Sequence, residues 1–267
     1  MFQLISQHVL RILIGVCLVV IITAGIFFEI NRWQQSELVI DVSRKDRKKL
    51  VCYLQTWANY RQGDGKFDFS NVDPNLCTHI VYAFAKLQNN QIESSDPWLD
   101  LPSGLNGYGK FNALKQRNPA LKTLLSIGGW NEGSVKYSQM ASSSSSRSTF
   151  VQSVVQYLRK YGFDGLDVDW EYPTMRGGRP EDKRNFVLLL QDLKAALQPQ
   201  GMLLTAAVGG GKSIVDAAYD VPGISRALDL IHVMTYDYHL STERQTGYNA
   251  PLYPEADSTT GDKQLTV

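Results

Sequence analysis

The sequence predicts an α/β fold: an incomplete (β/α)8 barrel with strands one to six present, preceded by an N-terminal transmembrane helix. Three observations carry this. Short apolar runs alternate six times with longer amphipathic stretches, the pattern of a parallel sheet. One run, FDGLDVDWEY, divides into an acidic face and an apolar face. No glycine-rich nucleotide fingerprint follows the first run, where a doubly wound open sheet would favour one. The 267 residues are 43% hydrophobic and 20% charged, ordinary for a globular chain. The formal net charge of +1 gives no sign of a nucleic-acid partner, and none is expected.

The chain divides into an anchor over 1–30, a polar linker over 31–48 and the α/β region over 49–267. Ile12 to Phe28 form about 17 residues without a charge, the lower limit for a membrane-spanning helix. A cleaved signal peptide is the competing reading, but its apolar core is usually shorter and no small-x-small cleavage site follows. An uncleaved signal-anchor is therefore expected. Its orientation is divided. Arg44, Lys45, Arg47, Lys48 and Lys49 lean toward a cytoplasmic C-terminal side, whereas paired cysteines would place the domain outside the cytosol.

From Leu50 the strand candidates are LVCYLQ, HIVYAFAK, KTLLSIGG, FDGLDVDWEY, LLTAAVG and LIHVMTYD. Helices are expected over TFVQSVVQYLRKYG, where Phe150, Val154, Val155 and Leu158 have helical spacing, and over EDKRNFVLLLQDLKAAL. Ser142 to Ser146 read as a polar loop before the first of these. Cys17 lies in the apolar run. Cys52 and Cys77 lie at or near the starts of two successive strands. A disulfide and a pair of buried free thiols both fit that placement.

In FDGLDVDWEY a strand would project Asp167, Asp169 and Glu171 from one face and Leu166, Val168 and Trp170 from the other. In a barrel the apolar set packs on outer helices. The acids then point into the lumen and rise toward the C-terminal mouth, where barrel active sites sit. Three carboxylates so spaced resist simultaneous ionisation, so at least one pKa rises. The last acid, nearest the mouth, is placed to hold the proton, as a general acid for glycosidic cleavage must. A metal cage would want more oxygen ligands and a glycine-bearing loop. No metal and no cofactor is expected.

DGLDVDWE fills the pattern D-x-x-D-x-D-x-E with Asp164, Asp167, Asp169 and Glu171, and it resembles the signature of family 18 glycoside hydrolases, the chitinases and chitinase-like proteins. CYLQTWANYRQGDGKFDFSNVDPNLCTHIVYAFAKL resembles the first two barrel strands of animal chitinases, and SIGGWNEGS their third-strand motif. RGGRPEDKRNFVLLLQDLKAAL, LLTAAVGGGKSIVDAAYDVPGISRALDLIHVMTYDYH and TGYNAPLY continue the likeness in order, from Lys49 to Tyr253.

The resemblance implies a TIM-type barrel and a retaining, substrate-assisted hydrolysis of chitin or chito-oligosaccharide. Glu171 would be the general acid and base. Asp169 would hold the substrate's N-acetyl group, Asp167 would exchange a proton with Asp169, and Tyr236 would donate to the acetyl oxygen. Trp57, Trp130, Met234 and Asp237 would bind substrate, while Asp164 would be structural. The resemblance also implies a Cys52–Cys77 disulfide. The expected placement is then single-pass in a membrane, with the catalytic domain extracellular or lumenal, secretion after signal cleavage being the alternative.

Two departures from the family pattern stand out. Where the family reads F-H-G-S-W, this chain has Tyr238, His239, Leu240, Ser241 and Thr242, and Tyr248 stands where histidine is common. Family barrels continue through strands seven and eight, with the late tryptophan that floors the catalytic subsite, so either a fragment or a short isoform is expected. A non-catalytic chitin-binding protein or an inactive truncated product is the alternative to a chitinase.

Overall fold

Six parallel strands follow one another around the sheet in chain order, with a seventh as a side hairpin, in the computed structural model. The structure describes residues 48–254 apart from Gln245. The expected anchor over 1–30, all of the linker except Lys48, and residues 255–267 lie outside the described residues. Among the described residues no helix is long and apolar enough to cross a membrane.

The strands are β1 Val51–Gln55, β2 His79–Gln88, β3 Gln91–Ser94, β4 Lys122–Gly128, β5 Gly165–Asp169, β6 Leu203–Gly209 and β7 Leu230–Met234. Their order is β1-β2-β4-β5-β6-β7, each neighbouring pair parallel, with β3 antiparallel to β2. A doubly wound sheet reverses its strand order at a switch point. This sheet never reverses, so it is an arc of a barrel. Among the described residues β1 and β7 each have one strand neighbour.

The helices are α1 Pro97–Asp100, α2 Gly107–Asn112, α3 Leu114–Arg117, α4 Val135–Ala141, α5 Ser144–Tyr161, α6 Asp182–Leu197, α7 Lys212–Ala218 and α8 Val221–Ala227. The long pair, α5 and α6, supplies Phe150, Val154, Leu158, Phe186, Leu189, Leu190 and Leu193 to a dry core, each no more than 1% exposed. From β5 come Leu166 and Val168, and from the position just past its end Trp170, the apolar face expected of this run. The Trp170 ring lies 5.7 Å from Phe186 of α6 and 5.8 Å from Tyr137 of α4. Burying such a set is the main force that holds helix to sheet, at about 1.5–3 kcal/mol per large apolar side chain.

Cys52 in β1 and Cys77 just before β2 form a disulfide with Cα atoms 6.2 Å apart. It closes a loop with a sequence separation of 25 residues, worth roughly 3 kcal/mol in chain entropy.

Four local expectations differ from the structure. The β2–β3 hairpin was not read from the sequence. It turns on Asn89 and Asn90, both with positive φ (51° and 57°), as a tight primed turn requires. The serine run is not all loop: Ser143 accepts from the Ser146 amide at 3.1 Å and caps α5, which begins at Ser144. β5 ends at Asp169 rather than Tyr172. Gly128 and Gly129 (φ 123° and 86°) swing the chain away after β4, so past Asp169 the strand loses the neighbour it paired with. Likewise β7 ends at Met234, and Thr235 to Asp237 lie beyond it.

Candidate active site

The acids stand at the C-terminal end of β5, and their surroundings differ along the strand. Ser126, Asp167 and Thr205 share one row of register across β4, β5 and β6. Asp167 is fully buried. Its carboxylate accepts from Tyr53 Oη at 2.9 Å, Ser126 Oγ at 2.8 Å and Thr205 Oγ1 at 2.6 Å. His232 Nδ1 lies 3.3 Å from Asp167 and 2.6 Å from Tyr53 Oη, while its Nε2 is buried without a partner among the described residues. Burial first, then the Asp167 charge, pushes the Tyr53 phenol far above its ordinary range, so it stays a donor.

Asp169 has the opposite setting. Its Oδ1 is buried and has no hydrogen-bond partner among the described residues. Burial is the largest cause that raises its pKa, to about 9, followed by the charges of Glu171 and then Asp167. Glu171, 9% exposed, lies past the strand end. Burial raises its pKa as well, and the Asp237 charge adds to this. A hydrogen bond with Tyr172 and the Arg176 charge oppose it. Burial therefore raises the pKa of two acids here, not only that of the one nearest the mouth.

Gly128 makes this approach possible. A Cβ on it would stand 2.0 Å from the Asp169 carbonyl oxygen, and its φ of 123° is one that L side chains rarely adopt. The Gly129 amide donates to that same oxygen at 2.9 Å. The glycines of SIGGW thus hold the end of β5 against β4.

Two cavities open around these groups. One, about 290 Å³, is lined by Tyr53, Trp57, Phe84, Asp169, Met234 and Tyr236 among others. The other, about 450 Å³, is lined by Trp57, Phe84, Trp130, Tyr60, Asp96 and Glu132 among others. Trp57 and Phe84 belong to both and stack with centroids 6.0 Å apart. Aromatic side chains thus line both cavities, the one beside Asp169 and the one beside Trp130. The arrangement offers flat apolar faces beside Asp169, a carboxyl whose pKa is raised to about 9, and sugar rings have apolar faces to stack. Among the described residues no group of three or more His, Cys, Asp or Glu has metal-binding geometry.

The family model of the glycosyl hydrolases family 18 matches residues 49–267. The chain belongs to this family. It is 53% identical over 214 residues to Probable chitinase 2 of Drosophila melanogaster, covering 79% of this chain and 44% of that relative. It therefore spans less than half the length of that curated relative. The Group IV chitinase of Ostrinia furnacalis, solved in complex with allosamidin, superposes with a TM-score of 0.79 at 41% identity, covering 82% of this chain and 60% of that one. Human YKL-39, described as a pseudo-chitinase with retained chitooligosaccharide binding, superposes with a TM-score of 0.75 at 37% identity, covering 83% of this chain and 60% of that one.

Within this family 18 chain, the residues singled out from sequence fall into three places. Asp169, Tyr236, Met234 and Trp57 line the smaller cavity, and Trp57 and Trp130 the larger. Trp57 and Trp130 are 44% and 58% exposed, so neither is a core residue. Glu171 and Asp237 line neither cavity. Asp237, with φ 58°, accepts from Asn249 Nδ2 at 2.9 Å, and its charge acts on Glu171. Asp164 lies at the far end of β5, where it accepts from the Thr123 amide at 2.9 Å and from Lys115 Nζ at 3.0 Å. Tyr53, Ser126, Thr205 and His232 were not singled out from sequence. Their signal was available: each is a polar side chain within a predicted strand that is otherwise largely apolar.

Proposed function

We propose that the chain is the catalytic part of a chitinase that hydrolyses β-1,4-linked N-acetylglucosamine polymers with retention, using the substrate's own acetamide as nucleophile. One observation carries this most: Asp169 lines a cavity, and its buried Oδ1 has no hydrogen-bond partner among the described residues, between an Asp167 that accepts from three hydroxyls and a buried Glu171. An unpartnered buried acceptor costs about 1–3 kcal/mol, and a carboxyl turned toward an acetamide N–H in the cavity would be relieved of that cost.

In this reading the protonated Glu171 gives its proton to the glycosidic oxygen as the bond to the anomeric carbon breaks. The acetyl oxygen attacks that carbon and forms an oxazolinium ion. Asp169 orients the acetamide and balances the positive charge, exchanging its proton with Asp167. Tyr236, whose own proton is held by burial and the Asp169 and Glu171 charges, donates to the acetyl oxygen. The Glu171 carboxylate then takes a proton from water, which opens the oxazolinium and restores the sugar. Orientation of the internal nucleophile can supply an effective molarity of about 10⁵ M or more. Trp57 and Trp130 serve as stacking faces, Met234 packs beneath the reacting sugar, and Asp237 tunes Glu171. The disulfide supports an exported domain, extracellular or lumenal.

The acetamide requirement tests this reading. Chito-oligosaccharides should be cleaved, and the fully N-deacetylated oligomers of equal length should not. Equal cleavage of both would remove the substrate-assisted step. Binding of the acetylated oligomers without cleavage at any pH would favour a binding protein of the pseudo-chitinase kind.

A further inference from the structure

The segment after β5 carries two non-glycine residues in the left-handed region, Thr174 (φ 70°) and Arg176 (φ 52°). Such residues persist where their surroundings dictate them, and they cluster at functional sites. Here the surroundings are specific. The Met175 amide donates to the Tyr172 carbonyl at 3.0 Å, and the Gly178 amide to the Met175 carbonyl at 2.9 Å. Ser134, after β4, donates from Oγ to the Tyr172 carbonyl at 2.8 Å and from its amide to the Arg176 carbonyl at 3.4 Å.

This backbone aims one guanidinium at two residues of the site. The central carbon of Arg176 lies 3.6 Å from the centroid of the Trp130 ring. Arg176 Nη1 donates to the Trp130 carbonyl at 2.7 Å and to the Glu171 carbonyl at 3.1 Å. Nη1 carries two hydrogens, one for each oxygen. The turn's backbone is also held by the Gly129 amide on the Asp169 carbonyl and by Glu132, which accepts from the Leu87 amide at 3.0 Å, but the Trp130 residue itself is 58% exposed, and Gly129 and Gly133 flank its short helical turn with φ of 86° and 63°. A flat cation on one face leaves the opposite face for a sugar.

We infer that Arg176 is a positioning residue: by stacking on Trp130 and bonding the carbonyls of Trp130 and Glu171, it fixes the spacing between the sugar-stacking face and the acid. The inference rests on the reading of Trp130 and Glu171 given above. The planar group matters because a lysine ammonium can reach the same oxygens but cannot stack as a plane. The charge has a second effect, since Arg176 opposes the burial that raises Glu171's pKa.

The test compares Arg176→Ala and Arg176→Lys in the full chain, with chito-oligosaccharide as substrate and tryptophan emission, without sugar, as a structural signal. Arg176→Ala should lower kcat/KM by roughly 10- to 100-fold, with KM raised as well as kcat lowered. The pH limb governed by Glu171 should move upward in Arg176→Ala and return in Arg176→Lys, while KM stays raised in both. Emission should change in both variants, and the change should vanish in a Trp130→Phe background. A lowered KM would mean that the guanidinium covers the sugar-binding face, and it would overturn the inference. So would kinetics and emission equal to wild type. If Arg176→Ala does not fold, Arg176→Lys decides on the same readouts. If the wild-type chain neither cleaves nor binds chito-oligosaccharide, the chitinase reading fails on its own. The sugar-free emission then still decides whether Arg176 holds the ring: a change supports the positioning role and no change ends it.

Discussion

Replacing Glu171 with Gln is expected to lower kcat on chito-oligosaccharides by about 10²–10⁴-fold, the usual worth of a positioned general acid and base, while binding survives. The substitution is nearly isosteric, so the buried pocket stays filled. It removes the only proton the first step can use and the only base the second step can use. It also removes a negative charge that raises Asp169's pKa, which should ease ionisation of Asp169 in the variant. Calorimetric titration with an oligosaccharide, beside turnover of the same preparation, checks both halves. Hydrolysis at the wild-type rate would remove Glu171 from the reaction. Loss of binding together with turnover would assign it to ground-state contacts instead.

Asp169→Asn is expected to cost activity by a similar order and to gain stability, with the gain growing as pH rises. The folded state raises the Asp169 pKa from its ordinary 3.8 to about 9, chiefly through burial. Its affinity for that proton therefore favours the fold fully below about pH 4. That contribution is lost progressively as pH rises toward 9. Asparagine never ionises, so the variant avoids the loss. The melting temperatures should be close near pH 4, and the variant should lead by at least about 2 °C at neutral pH, corresponding to roughly 1 kcal/mol in a chain of this size. A gap that narrows with rising pH would place the proton elsewhere in the array. Inactive yet more stable is the outcome expected where a site stores unfavourable electrostatics for its chemistry.

Most of the framework was legible in the sequence because the barrel repeats one simple pattern. Six apolar runs became six parallel strands in chain order, since β2, β4, β5 and β6 are largely buried and helical crossovers link β2 through β7. The two-sided division of FDGLDVDWEY placed Leu166, Val168 and Trp170 against helices correctly. What sequence could not supply was the partner set of each acid. Alternation put Asp167, Asp169 and Glu171 on one face and singled out only the last, by its position near the mouth. Register across three strands gives Asp167 its hydroxyl donors and leaves Asp169 without a partner on Oδ1 among the described residues. Strand length was overestimated at the same place because pairing ends where Gly128 and Gly129 turn away, a property of the neighbouring strand. Arg176 escaped notice because its role depends on a left-handed backbone in a loop, which no periodicity marks. The β2–β3 hairpin had a legible cue in Asn89–Asn90, though asparagine pairs mark such turns less strongly than Asn-Gly.

The stereochemistry of the first product tests the central reading most directly. Proton NMR of a chito-oligosaccharide digest, taken before mutarotation equilibrates the anomers, should show the new reducing end as the β-anomer, because attack by the acetamide and then by water inverts the carbon twice. The α-anomer as initial product would mean a single displacement by water, and it would contradict the roles assigned to Glu171 and Asp169.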